Sequence, residues 1–276
     1  MISNIKPGIT LSILLATYLS AQAQKLPGVQ LNSLSAPAGI KIDGRATEWG
    51  NRFQAYNKAT DIYYTMANDS ANLYLAIQAK DPVIIHKILG GSIALTLHRS
   101  VKKNAEPVAV IFPLLPVDIS ERLAACLQQR IALASAKTGN VVYASDSLLL
   151  LINTAMINNL KQIKVKGISS LTDTMLSVYN DAGIKVQALF DTNNALTCEL
   201  AVPVKYLKLS GALPARFSYQ IKLNEMYANH TGMAVGLDGK ALPTGSFTIV
   251  YTGPQTERQT LMSTTDFEGE YTLAGR

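Results

Sequence analysis

The stretch "RFSYQIKLN" at residues 216–224 constrains this chain more than any other. Phe217, Tyr219, Ile221 and Leu223 alternate with Ser218, Gln220, Lys222 and Asn224. Successive side chains of a strand point to opposite faces, so the pattern requires a strand buried on one side and wet on the other. The same period of two recurs upstream. Ile62, Tyr64 and Met66 share a face, "NDSAN" supplies turn residues, and Leu73, Leu75, Ile77 and Ala79 resume the alternation, which predicts a hairpin. "SIALTLH" places Ile93, Leu95 and Leu97 together, "GIKVQALF" does the same for Ile184, Val186 and Ala188, and "GSFTIVYTG" reads as a final strand.

Between these strand-rich halves the period changes. Ile119, Leu123, Cys126, Leu127, Arg130, Ile131 and Ala134 follow helical spacing, and Ser147 to Lys161 holds a second, leucine-rich helical pattern. A two-helix insertion at about residues 118–161 is expected, its apolar stripes packed on the β scaffold. No Ser/Gly linker or low-complexity tract divides the chain, so residues 24–276 are read as one mainly β domain.

Residues 1–23 are set apart. Lys6 is their sole charge, Ile9 to Leu19 form a short apolar stretch, and Ala21-Gln22-Ala23 matches a small-x-small cleavage site, which is the pattern of a secretory signal peptide. A membrane span needs about 20 apolar residues, and no cysteine near the site offers a lipid attachment point. "SLLLLINTAMI" is too short and is interrupted by Asn153 and Thr154. The expected address is therefore periplasmic or extracellular, without a transmembrane anchor.

Removing Lys6 with the leader lowers the formal charge from +6 to +5. The remaining basic residues are scattered, and the densest group, Lys161, Lys164 and Lys166, reads as a solvated face with no nucleic-acid motif beside it. Nucleic acid is not an expected partner.

Several stretches, taken in order, resemble a known family. "IDGRATEW", then "YYTMANDSANLYLAIQAKDP", and later "LTCELAVPVKYLKL" followed by "FSYQIKLNE" are similar to family 9 carbohydrate-binding modules and the wider DOMON-like sandwiches. The resemblance spans roughly residues 40–250, broken by the helical insertion. It implies a two-sheet antiparallel β-sandwich of jelly-roll or immunoglobulin-like kind, and structural roles for Asp43, Gly44, Trp49, Asp81 and Glu199. It also implies a carbohydrate or a glycan-bearing surface as ligand. The end, "TDFEGEYTLAGR", resembles a tail found in secreted bacterial proteins with this opening.

Trp49 is the only tryptophan, whereas the sugar clamp of well-known family members uses a pair, so Trp49 is assigned to the core. Tyrosine is the available substitute. Tyr63 and Tyr74 fall on the face opposite the core positions, and with Tyr227 they are expected to border a ligand surface. Covering the outer sheet is the plainer role for the same three rings.

Catalytic and metal signals are sparse. His86, His98 and His230 stand in no zinc spacing, and there is no Gly-x-Ser-x-Gly elbow, phosphate loop or Rossmann fingerprint. A glycan-active enzyme would need two convergent carboxylates, with Asp43, Glu48, Asp81 and Glu199 as the candidates. A binding module is favoured over that reading, and a structural or adaptor protein of the cell envelope, with a protein partner, is the other alternative. No cofactor is expected. Asn68, Asp69 and Asn72 are oxygen donors that calcium would accept, although a turn already explains them. Haem would need an axial pair such as Met66 with His98 or His230. Cys126 and Cys198 either form a disulfide in an exported chain or remain buried thiols.

Overall fold

A computed structural model describes residues 25–98, 106–135, 141–207, 215–226 and 254–275. Its frame is two antiparallel sheets. The five-stranded sheet has the order β1 (Ala55–Asn57), β2 (Ile62–Asn68), β3 (Asn72–Ala79), β9 (Leu196–Pro203), β8 (Lys185–Phe190). The six-stranded sheet runs β11 (Thr265–Thr272), β10 (Arg216–Leu223), β4 (Ile93–His98), β5 (Val108–Phe112), β6 (Gln162–Lys166), β7 (Met175–Ser177).

The alternation selects the inner faces. Ile62, Tyr64 and Met66 of β2 join Leu73, Leu75 and Ile77 of β3 in one continuous core with Phe217, Tyr219, Ile221 and Leu223 of β10. Burial of each such side chain stabilises by about 1.5–3 kcal/mol, so a one-residue register slip would be prohibitive. Two hydroxyls lie inside this apolar layer. Tyr64 and Tyr219 meet across it at 2.9 Å, and the Gln30 backbone N–H donates to the Tyr64 hydroxyl at 2.8 Å, so neither oxygen is left without a partner.

Gln30 belongs to a segment, residues 27–36, that runs along the β2 edge beyond the short β1. Its side-chain amide donates to the Met66 carbonyl and accepts from the Met66 N–H, substituting for a neighbouring strand. Farther along, the Asn68 N–H donates to the Leu34 carbonyl and the Ala36 N–H to the Asn68 carbonyl. An edge that would otherwise offer free backbone groups is closed in this way.

Two helices, α2 (Val117–Ser135) and α3 (Val141–Asn159), stand between β5 and β6. Asn153 of α3 accepts from the Phe190 N–H and donates to the Phe190 carbonyl, closing the β8 edge as Gln30 closes that of β2. Arg130 of α2 is buried and donates to the carbonyls of Ser145 and Thr192 and to the Asn194 side chain. The pair is thereby anchored to the β8–β9 turn. No described helix is long and apolar enough to cross a membrane.

Strands β1, β5, β6 and β7 were not read from the sequence, and two further elements depart from expectation. Helix α1 (Pro82–Gly91) was not anticipated, although its signals are in "DPVIIHKILGG": the Asp81 side chain accepts from the Val83 and Ile84 N–H groups, with proline at the first helical position. The stretch read only as a tail holds β11, paired with β10 along all of its length. Its pattern is disguised because Gly269 replaces a side chain that would meet the Tyr219 ring at 2.5 Å. The strand expected at "GSFTIVYTG" lies outside the described residues.

Lys87 on α1 is fully buried, and its ammonium donates to the Thr265 hydroxyl at 2.9 Å. Burial lowers its pKa from 10.5 to about 8 despite the opposing charge of Glu225. Between those values the unfolded chain holds the proton that the folded chain has released, so stability rises with pH there and is lost as pH falls towards 8. The melting midpoint of the natural chain should therefore rise relative to that of Lys87→Met between pH 8 and 10.5. A difference that stays flat with pH would show that Lys87 keeps its ordinary proton affinity.

Candidate functional site

The outer face of the five-stranded sheet carries the residues singled out by sequence. Register places Tyr56, Tyr63, Gln78 and Thr197 side by side across β1, β2, β3 and β9. The next row holds Thr65, Ala76, Glu199 and Gln187. The loop carrying "IDGRATEW" lies over this second row.

Glu199 fixes that loop. It is 1% exposed, and its Oε2 accepts from the backbone N–H groups of Asp43 at 3.0 Å and Gly44 at 2.9 Å. Its Oε1 accepts from the indole N–H of Trp49 at 3.0 Å. Burial raises the carboxyl above its ordinary value, the Asp43 charge adds to the shift, and the three N–H donors oppose it. Gly44 has φ +81°, and a Cβ there would stand 2.9 Å from the Leu189 nitrogen. Only glycine lets the loop approach β8 so closely.

Trp49 is half-buried and packs with Tyr63 against a small apolar cluster of Ala46, Phe53 and Ala76. Four of the five motif residues, Asp43, Gly44, Trp49 and Glu199, thus form one assembly. Asp81 stands apart as the cap of α1. Asp43 accepts from the Arg45 N–H, and Glu48 accepts from the Thr47 hydroxyl.

The three tyrosines separate. Tyr63 is partly exposed, 4.7 Å from the Tyr56 ring at a 38° tilt and 6.1 Å from Phe53, with the Lys80 ammonium 4.3 Å from its centroid. Tyr74 is 6% exposed, and its hydroxyl donates to Asp69 at 2.8 Å while accepting from Asn72. Its ring is therefore part of the hairpin and offers no open platform. Tyr227 lies outside the described residues. Tyr56 was missed because β1 has only three residues, too few to show alternation. Its hydroxyl donates to Asp61 at 2.6 Å, and that bond, with burial, raises the phenol to about 12.

Other sequence candidates are not assembled. Cys126 and Cys198 stand as free thiols, the former half-buried on α2 and the latter buried on the inner face of β9. Burial raises the Cys198 thiol well above its usual range. Asp69 Oδ1 accepts from the Ala71 and Asn72 N–H groups, and Asn68 Oδ1 accepts from the Tyr271 hydroxyl and the Ala274 N–H. Among the described residues no three His, Cys, Asp or Glu side chains are grouped to hold a metal. Met66 lies in the core while His98 is exposed on the far face of β4, so these two are not brought together. His86 pairs with Glu121 at 3.1 Å, and His230 lies outside the described residues.

Glu199→Gln leaves one acceptor for three donors and adds an amide that faces an N–H. Leaving buried donors unpaired costs about 1–3 kcal/mol. The variant should melt several degrees lower, and the emission of Trp49, the only tryptophan, should move to the red as the loop loosens. Unchanged emission and midpoint would mean that Glu199 does not hold the loop.

No protein-family model matches the chain. No curated protein matches it either. Among solved structures it is similar to a family 9 carbohydrate-binding module from Caldicellulosiruptor kristjanssonii in complex with glucose, at 10% identity and a TM-score of 0.38, with 89% of this chain and 96% of that chain covered.

Proposed function

We propose that this chain is an exported, non-enzymatic binding module whose ligand is carbohydrate or a glycan-bearing surface. The tilted pair of Tyr56 and Tyr63 on the outer sheet face, with Lys80 against Tyr63, carries the reading. Aromatic faces present flat apolar area on which the C–H face of a pyranose can lie. Lys80 and Asp61 stand at the rim to hydrogen-bond sugar hydroxyls. The patch lies on the face of a sheet, which suits an extended polymer. Export rests on the leader pattern of residues 1–23. The non-enzymatic reading rests on Glu199, whose two oxygens each receive a structural N–H donor.

One observation favours an adaptor as the second reading. Leu150, Leu151 and Ile157 of α3 are 70%, 56% and 46% exposed, and Leu150 and Ile157, seven positions apart, share a helix face. Exposed apolar groupings of this kind mark interaction surfaces.

Depletion of the purified chain from solution by insoluble polysaccharides separates the two. Retention on at least one polysaccharide is expected, with Tyr63→Ala weakening it about tenfold and Leu150→Ser leaving it unchanged. Equal retention of Tyr63→Ala would remove the aromatic patch as the site. No retention on any polysaccharide would favour the adaptor.

A further inference from the structure

A cleft of about 630 Å³ opens at the other end of β2 from the tyrosine pair. Tyr63 and Asp69 are six residues apart, which along a strand is about 20 Å. Among the described residues its walls come from four separate segments: Ser35, the β2–β3 turn at Asn68, Asp69 and Ser70, Val204 after β9, and Leu273 after β11. Its size lies within the range of small-molecule sites, about 300–1,000 Å³.

Asn68 makes the cleft rigid. Its carboxamide accepts from the Ala274 N–H and the Tyr271 hydroxyl and donates towards the Asp69 and Ala274 carbonyls. Its backbone receives the Ala36 N–H and donates to the Leu34 carbonyl. One side chain thus joins the edge-closing segment, the hairpin turn and the end of the last strand. Asp69 is equally fixed, by the Ala71 and Asn72 N–H groups on one oxygen and the Tyr74 hydroxyl on the other. Burial raises that carboxyl, but these donors outweigh it and hold the group below its ordinary value.

The chemistry of the walls is mixed. The Ser35 and Ser70 hydroxyls have no partner among the described residues. Asp69 Oδ1 is filled by its two N–H donors, and Oδ2 retains one lone pair beyond the Tyr74 hydroxyl it already receives. Ala36, Val204 and Leu273 provide an apolar wall beside them. Two free hydroxyls, a fixed carboxylate and an aliphatic wall match a small ligand that is polar at its rim and apolar on its face.

We infer that this cleft is a second carbohydrate site, taking one or two neutral sugar units: vicinal hydroxyls bond Asp69, Ser35 and Ser70, and the ring's C–H face lies on Val204 and Leu273. The inference rests on the carbohydrate-binding reading and adds a site for soluble saccharide or chain ends, distinct from the flat tyrosine patch. Two sites about 20 Å apart on one rigid sheet would also raise avidity for a polymer, because the second engagement becomes intramolecular.

Gly275 lines the cleft, and a Cβ there meets no atom within 4 Å, so Gly275→Trp can fill the space without a clash at its root. The experiment titrates the purified chain with neutral disaccharides (cellobiose, maltose, xylobiose, laminaribiose) by calorimetry and by shift of the melting midpoint. The natural chain and Tyr63→Ala should both bind at least one of them. Gly275→Trp should bind at least tenfold more weakly with its ligand-free midpoint unchanged, and Ser35→Ala/Ser70→Ala should lose about five- to thirtyfold, near one net hydrogen bond for each hydroxyl. If Gly275→Trp lowers the ligand-free midpoint, the serine pair decides alone. Binding that survives in the decisive variants but disappears in Tyr63→Ala would overturn the cleft and leave the proposed function standing. If the natural chain binds none of the disaccharides the cleft inference is overturned, and retention on insoluble polysaccharide then decides whether the function falls with it.

Discussion

A buried carboxylate with three N–H donors organises the outer face of this protein. A carboxylate removed from water is strongly destabilising unless its lone pairs are occupied, and Glu199 meets that requirement with two backbone groups and one indole. The consequence runs outward from the sheet. The loop at residues 43–53 is pressed onto β3 and β9, Gly44 is the residue that can approach Leu189, and the Trp49 indole N–H is drawn onto Glu199. Tyr56 and Tyr63 stand one row away on the same face as a tilted aromatic pair.

Much of the frame was legible because one-sided burial writes itself into sequence. β2, β3, β4, β8 and β10 each alternate, and each inner set read from the alternation is buried in the structure. The helical pair was legible by its change of period. Short or irregular partners were not. β1 has three residues, and β11 places Gly269 where Tyr219 needs room, so neither offers a clean period. α1 was obscured by a preceding strand pattern, although Asp81-Pro82 is a cap followed by a favoured first helical residue. Gln30 could not be recognised at all, since its role depends on an edge of β2 that exists only after β1 proves too short to cover it.

At the candidate site the divide is similar. Trp49 was read as core, yet it lies half-buried against a small cluster apart from the main core, and the donor set on Glu199 that holds it there needed the loop's path. Tyr63 and Tyr74 share the outer face as the period of two requires. Their different fates come from neighbours that the period does not encode. Asp69 and Asn72 draw the Tyr74 hydroxyl into the turn, while Tyr63 has only ring and ammonium contacts and keeps part of its surface open.

Two side-chain amides imitate a strand on the five-stranded sheet, Gln30 pairing Met66 of β2 beyond the end of β1 and Asn153 pairing Phe190 of the edge strand β8. That arrangement has a bearing on binding. An amide that satisfies both backbone groups of one residue blocks pairing with another chain at that residue while leaving the sheet face free. The outer face and the cleft at the strand ends are left uncovered by these contacts. Both are mounted on strands whose inner sides lie in one continuous core, so their groups are already in place before a ligand arrives. A ligand that met either surface would lose little of its binding free energy to ordering these groups.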